Sequence, residues 1–245
     1  MGLFDRKKGL PADFFHGVTD MHCHLLPAVD DGFQTESSSI DGLKYMERLG
    51  FRQLILTPHV MMDYADNTRS HLEQLYDHYR QVVAESCGLK VRLAAEYMLD
   101  ERFLSHQEEG WLYLNPTERI VLVETSYMYK IPDMDQYLYE LTVTDNHVVI
   151  AHPERYVYAD TDEFRHWKES GYSLQLNLVS LAGGYGRPAK DNAEYLLEAG
   201  MYDYVGTDMH KVSTFEQWLQ ALKLKSHQVD LLHELYENNA RLFGA

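Results

Sequence analysis

Cysteine is almost absent: the 245 residues include only Cys23 and Cys87, too few for a disulfide framework and in keeping with a reducing compartment. Neither is followed six residues later by arginine, since Val29 and Leu93 stand there, so the Cys-x5-Arg loop of thiol-dependent phosphatases is missing. Long apolar runs are missing too. No window reaches the roughly 18 apolar residues that a membrane span needs. Residues Met1 to Lys8 lack the apolar core of a signal peptide, and Arg6 occupies the place where a myristoylation motif wants Ser or Thr. A cytoplasmic protein is the expectation. Cations are scarce as well: 22 Lys and Arg against 38 Asp and Glu give a formal net charge of -16. That balance argues against a nucleic-acid binder, whose affinity comes from neutralising backbone phosphates. A small anion is still a fitting target if bound cations reverse the local sign.

What the chain does have is a hydrophobic content of 45%, ample for one barrel-sized domain. That domain is placed at residues 17–245, behind a partly ordered arm of residues 1–16. From Gly17 onward one pattern repeats seven times: a short apolar run, a polar loop and a helical stretch. The runs are Gly17 to His22, Phe51 to His59, Val91 to Glu96, Ile120 to Glu124, Val148 to His152, Tyr172 to Asn177 and Tyr204 to Asp208. Helices fit near Glu36 to Leu49, where Ile40, Leu43, Met46 and Leu49 keep helical spacing. Others fit near Thr68 to Glu85, Glu101 to Gln107, Met134 to Thr142, Asp162 to Glu169, Ala189 to Ala199, Thr214 to Leu222 and Val229 to Phe243. Near-continuous apolar strands alternating with helices indicate a parallel sheet covered on both faces. Seven of them in one domain suggest closure into an α/β barrel.

Side chains able to bind metal recur at the C-terminal ends of these runs: His22 with His24, then His59, Glu96, Glu124, His152, and Asp208 with His210. In a β/α barrel those ends share one mouth, where catalytic groups gather. A polar residue closing any one strand is ordinary; its recurrence at six of the seven runs is the signal. In an extended strand, residues two apart face the same side, so His22 and His24 can offer nitrogens to one ion while Cys23 faces away. Among the other histidines, His71, His78, His106, His147, His166, His227 and His233 show no ligand spacing and read as surface or core.

These motifs, His-x-His at 22 and 24, Asp-Asp-Gly at 30–32, Pro-His at 58–59, the isolated Glu96 and Glu124, His-Pro-Glu-Arg-Tyr at 152–156 and Thr-Asp-Met-His at 207–210, resemble the polymerase and histidinol phosphatase (PHP) family. Within it they look like the bacterial tyrosine-protein phosphatases of capsule and exopolysaccharide operons. The resemblance implies a distorted seven-stranded β/α barrel holding two or three divalent ions, with manganese the first choice and iron, zinc or magnesium the alternatives. It adds Asp31 to the ligands, making nine: His22, His24, Asp31, His59, Glu96, Glu124, His152, Asp208 and His210. It also implies hydrolysis of phosphotyrosine on the tail of a partner kinase by attack of metal-bound hydroxide, with Arg155 clamping the phosphate. Relatives of this kind often carry a second Arg after the final Asp-x-His; here Lys211 stands nearby, a point charge without the planar fork.

Nine donors exceed what one ion uses at about four to six ligands, so at least two ions are implied. Four carboxylates bring roughly -4; two divalent ions leave the cluster near neutral, and three leave it positive enough to draw in phosphate. Asp31, His59 and His210 are candidate proton donors acting through water. Tyr64, Tyr127, Tyr129, Tyr156 and Tyr158 crowd the same loops, and Tyr64 and Tyr127 are the candidates to hold a phenol ring. Arg187 reads as the start of a helix. Three other readings compete: a phosphatase for a small metabolite such as histidinol phosphate, a phosphodiesterase or nuclease of the same fold, and a degenerate barrel that keeps metal only for structure. Amidohydrolases also begin with His-x-His, but typically close with a lone Asp rather than Asp-x-His. Recruitment to a membrane-bound kinase through Phe4 and Arg6-Lys7-Lys8, and the oligomeric state, are left open.

Overall fold

The computed structural model describes residues 6–243. In chain order the elements are β1 (Thr19–Cys23), α1 (Glu36–Leu49), β2 (Gln53–Leu56), β3 (His59–Val60), α2 (Arg69–Ser86), β4 (Lys90–Leu93), β5 (Glu96–Met98), α3 (His106–Glu109), β6 (Ile120–Glu124), α4 (Met134–Val143), β7 (His147–Ala151), α5 (Thr161–Glu169), β8 (Ser173–Asn177), α6 (Gly186–Glu198), β9 (Tyr204–Gly206), α7 (Val212–Ala221) and α8 (Ser226–Phe243). Local chemistry sets several ends. Thr35 and Ser38 form a capping box at the start of α1, and Thr68 and Asp160 cap α2 and α5 through their side chains.

All seven runs are strands, but the second and third are each broken in two. The strands form two parallel sheets, ordered β1-β2-β4 and β3-β5-β6-β7-β8-β9. Pro58 accounts for the first break, since it has no N–H to continue the ladder. Single hydrogen bonds carry the pairing across the gaps, from the Ala94 N–H to the Leu56 carbonyl at 2.8 Å and from the Glu96 N–H to the Pro58 carbonyl at 3.1 Å. The ring closes where the first strand meets the last. There the Asp208 N–H donates to the His22 carbonyl at 2.8 Å and the His24 N–H to the Met209 carbonyl at 3.1 Å, beside a parallel bridge between Cys23 and Met209. Buried Asp20 ties the same seam by accepting from the Thr207 N–H at 3.0 Å and from the Thr207 hydroxyl. Its burial pushes the carboxyl pKa up to about 6. The result is the distorted α/β barrel that the repeats and the PHP resemblance imply.

Alternation along the strands sorts the side chains into those inside the ring and those outside it. Met21, Ile55, Ala94, Ile120, Leu122, Val149 and Ala151 pack as one apolar plug, while their neighbours Leu54, Leu56, Leu93, Val121, Val123, Val148 and Ile150 face the helices. One step further along, Glu96 and Glu124 keep the inward parity and open the polar layer.

The arm is anchored from Lys8 onward, although most of its residues stay exposed. Lys8 and Leu224 exchange two backbone hydrogen bonds of 2.8 Å, Phe14 and Phe15 are buried, and the Phe15 ring stacks on Phe51 at 4.7 Å. Residues 1–5, with Phe4, lie outside the described residues. The helix expected near Glu101 to Gln107 is a 3-10 turn at Phe103–Ser105 followed by the short α3. Among the described residues no helix is long and apolar enough to cross a membrane.

Candidate metal centre

Asp31, in the loop after β1, and eight residues at or just past strand ends meet at the mouth. The nine expected ligands fall into four groups whose donor atoms lie within 4.8 Å of one another: His24, Asp31, His59 and His210; His22, His24 and Glu96; His22, His152 and Asp208; and His59, Glu96 and Glu124. Reaching this layer takes three local devices. The pairing register of β1 slips between Asp20 and Cys23, which lets Met21 fill the plug while His22 and His24 both reach the mouth. His152 follows the inward-facing Ala151 and would point outward in a regular strand; its backbone is left-handed, with φ 33. Asp208 is left-handed as well, with φ 51. Such non-glycine residues concentrate where function holds a strained backbone in place.

The innermost donors form a compact set. His22 Nε2 lies 3.2 Å from His24 Nε2, 3.2 Å from Glu96 Oε2 and 3.5 Å from Asp208 Oδ1, and His24 Nε2 lies 3.5 Å and 3.3 Å from those same two oxygens. Spacings of that size are ones that donors sharing an ion at about 2 Å, the usual metal-to-nitrogen and metal-to-oxygen length, can have. Further out, His59 Nδ1 lies 3.1 Å from Glu96 Oε2 and 2.9 Å from Glu124 Oε1, and His152 Nε2 lies 2.8 Å from Glu96 Oε1. At the open end Asp31 Oδ1 lies 3.4 Å from His59 Nε2 and 3.2 Å from His210 Nε2. Two of these atoms, His59 Nδ1 and Glu96 Oε2, are buried yet make no hydrogen bond of good geometry despite their closeness. That these two atoms stand so close to other donors without bonding them fits a shared cation, and the mixture of imidazole and carboxylate suits a borderline divalent ion.

Mutual charge stabilisation is strong throughout. Burial opposes charge on Glu96, but His22 and His59 hold its pKa well below the usual carboxylate range. The same opposition exists at Asp208, where His22, His210, His24 and Arg155 prevail over burial. Asp31 is also held below that range, chiefly by hydrogen bonds from His210 and His59.

Several residues that complete the site carry no ligand signature in sequence. Asp30 accepts from His24 Nδ1 at 2.8 Å and from the backbone of His59 at 3.1 Å and Gly32 at 2.9 Å. A Cβ at Gly32 would come within 2.9 Å of Asp30 Oδ1 and would strike the His24 backbone, so the Asp-Asp-Gly turn requires glycine. Gln175 Oε1 lies 3.0 Å from His22 Nδ1. Asn177 Nδ2 donates to Asp208 Oδ2 at 2.7 Å. Both stand on β8, the strand whose end offers no ligand. Polar residues two apart in a buried strand were the available signal.

Arg155, which follows β7 in the 3-10 turn Pro153–Arg155, lies between two rings, 4.2 Å from the centre of Tyr127 and 3.9 Å from that of Tyr185. Its Nη1 donates to Asp208 Oδ2 at 3.0 Å. Tyr127 donates to Glu124 Oε2 at 3.0 Å. Tyr127 thus steadies Arg155 and Glu124 from below. Tyr64 stacks over His59 at 6.1 Å and does not line the cavity of about 400 Å3 above the donors. Its apolar wall comes from Val179, Tyr185, Phe215 and Trp218, with exposed Lys211 at the edge. Arg187 begins α6 and is exposed.

Fold and site together define a class: a barrel of the PHP kind with candidate metal-binding clusters at its mouth. Residues 18–240 match the family model CpsB/CapC, capsular polysaccharide synthesis, and the chain belongs to that family. Tyrosine-protein phosphatase YwqE of Bacillus subtilis (strain 168) is 31% identical over 203 residues, 80% of this chain and 79% of the relative. Tyrosine-protein phosphatase CpsB of Streptococcus pneumoniae is 25% identical over 237 residues, 91% of this chain and 97% of the relative. A crystal structure from work on YwqE and CpsB, described as unique metal-dependent tyrosine phosphatases, is similar with a TM-score of 0.79 and 27% identity over 91% of this chain and 93% of the other. An amidohydrolase of Burkholderia ambifaria with bound zinc, at TM-score 0.54 and 10% identity over 94% and 87%, shares the fold alone.

Proposed function

We propose that this chain hydrolyses phosphotyrosine in proteins as a metal-dependent phosphomonoesterase. The observation that carries the reading is the position of Arg155: its guanidinium shares one cavity with six of the nine donors, Asp31, His59, Glu96, His152, Asp208 and His210, and uses only Nη1 on Asp208. The rest of its fork is available to hold phosphoryl oxygens in a bidentate grip. The family and the activity named for its relatives support the substrate class. His22, His24, Glu96 and Asp208 would hold one divalent ion; His59, Glu96, Glu124 and His152 a second; Asp31, His59 and His210 a third, with manganese preferred over iron, zinc or magnesium. Ions bound there supply an activated water and neutralise charge on the phosphoryl group. Arg155 orients that group and stabilises the charge that develops on it, and Lys211 adds a positive charge at the edge. Tyr185, Phe215 and Trp218 wall the space for a phenol ring. Phenolate, of pKa about 10, leaves without a strong proton donor. The reading includes a cytoplasmic location and the tail of a bacterial tyrosine kinase as the protein substrate.

The test is a panel of phosphotyrosine peptide, phosphoserine peptide, histidinol phosphate and single-stranded DNA, each with purified protein and manganese. Phosphotyrosine should be hydrolysed fastest. Turnover of the metabolite alone would move the reading to a small-molecule phosphatase, and turnover of none would leave a metal-stabilised binding module.

A further inference from the structure

The inner and outer donors differ in how they are held. His22, His24, Glu96 and Asp208 are all buried, and each of three has its non-ligating atom fastened from behind. Gln175 cannot flip, because its Nε2 donates to the Leu176 carbonyl. Its Oε1 must therefore face His22 Nδ1, which keeps the proton of the neutral ring on that nitrogen and leaves Nε2 for an ion. The Asp30 carboxylate does the same to His24. Asp208 Oδ2 takes hydrogen bonds from Asn177, Arg155 and Tyr185 at 2.7, 3.0 and 3.3 Å, which leaves Oδ1 aimed at the two imidazoles. The backbone makes room for this: a Cβ at Gly206 would come within 2.6 Å of His22 Cβ and 2.9 Å of Gln175 Nε2. At its open end the outer set has less: His210 is fastened from behind by the Asp208 carbonyl, 2.9 Å from its Nδ1, but among the described residues Asp31 has no such backing. The Asp31 side chain is 60% exposed and that of His210 25%, and the contacts of Asp31 run to His59 and His210, themselves candidate ligands.

We propose that Gln175, Asp30 and Asn177 are positioning residues that lock the inner donors into their binding form before an ion arrives. The ion held by His22, His24, Glu96 and Asp208 is then retained, while the ion held by Asp31, His59 and His210 exchanges with solvent. The proposal rests on the metal-binding part of the function above and not on its substrate. Two carboxylates and two neutral imidazoles cancel the charge of an inner divalent ion. One carboxylate leaves the outer ion with an excess charge beside solvent, which suits a position that releases and rebinds.

The test uses the full chain and manganese or zinc alone. Chelator challenge of metal-loaded wild-type protein, followed by elemental analysis, should show a fast and a slow phase of release. Asp31→Asn should remove only the fast phase. Gln175→Leu should speed the slow phase by roughly 10- to 100-fold, the usual effect of losing an outer-shell partner, and leave the fast phase as it was. Gln175→Glu, whose buried carboxyl in its protonated form offers both an acceptor to His22 Nδ1 and a donor to the Leu176 carbonyl, should recover slow release. A single release phase in wild-type protein would overturn the proposal, as would loss of the slow phase in Asp31→Asn, and neither result depends on the Gln175 variants folding. Slow release unchanged in folded Gln175→Leu would remove Gln175 from it. Metal release is the only readout, so the outcome is the same whether or not the protein hydrolyses a phosphoester.

Discussion

Two layers share the inside of one barrel and obey opposite rules. Below, Met21, Ile55, Ala94, Leu122 and Val149 form an apolar plug whose contribution is burial. Above, nine charged or polar donors are packed at distances that would repel without countercharge. The chain runs directly from one layer into the other, with breaks in its second and third runs between them, so the difference lies in how each run continues past its last apolar residue. At Glu96 and Glu124 the alternation simply carries on. At His22 and His152 it does not, and the backbone slips register or turns left-handed to bring the side chain in. The plug is thus a regular structure that tolerates the mouth, while the mouth departs from regularity at the expense of stability that the plug supplies.

Stripping the ions puts the greatest strain on that contrast. Chelation should lower phosphotyrosine hydrolysis by at least about 1,000-fold, because the ions supply both the activated water and the charge on which the site depends, with recovery on adding manganese. Survival of activity in protein shown to be metal-free would place the chemistry elsewhere. Next in size, Arg155→Lys should reduce kcat/KM by about 100-fold, the scale expected on losing a preorganised donor to developing charge, while metal content per molecule stays as in wild type. A fall in metal content with it would mean that Arg155 serves Asp208 rather than substrate. In the lower layer, Leu122→Ala should cost about 2–4 kcal/mol in urea denaturation by opening a cavity, with activity per folded molecule unchanged. Should the folded fraction lose metal, the two layers are not separable.

The smallest effect lies outside both layers. His106 is buried against Tyr97, and burial holds its pKa below the ordinary value. The unfolded chain therefore binds a proton at His106 more readily than the folded one. Stability from this residue is intact above the unfolded pKa near 6.5 and declines as pH falls toward the folded value. His106→Gln should flatten that acid limb in denaturation measured across pH 5 to 7, and an unchanged slope would count against the burial account.

Much of this arrangement is legible in the residues themselves. Each strand run ends in a group of ligand type, save the sixth, and the parity of Leu122 and Glu124, or of Ala94 and Glu96, can be counted directly. The helices are legible where spacing and caps agree, as at Thr35 and Thr68. What escapes is whatever depends on a partner far along the chain. Gln175 and Asn177 are ordinary polar residues until His22 and Asp208 lie beside them. Phe14 and Phe15 look like tail residues until Phe51 and Tyr236 offer them a pocket. Tyr185 and Trp218 lie outside the motif loops, so nothing near them in sequence ties them to the cavity. The break at Pro58 could have been anticipated; the one at Ala94 and Ala95 could not, since both alanines suit a continuous strand.

The seam between β1 and β9 has a consequence for how the protein comes into being. His22 and His24 are among the earliest parts of the barrel to leave the ribosome, and Asp208 and His210 among the last, yet they must stand side by side. A nascent chain that has produced most of the barrel therefore still lacks one wall of its reaction chamber. A product cut short before Thr207 would lack Asp208 and His210, and with them the partners that His22 and His24 meet across the seam.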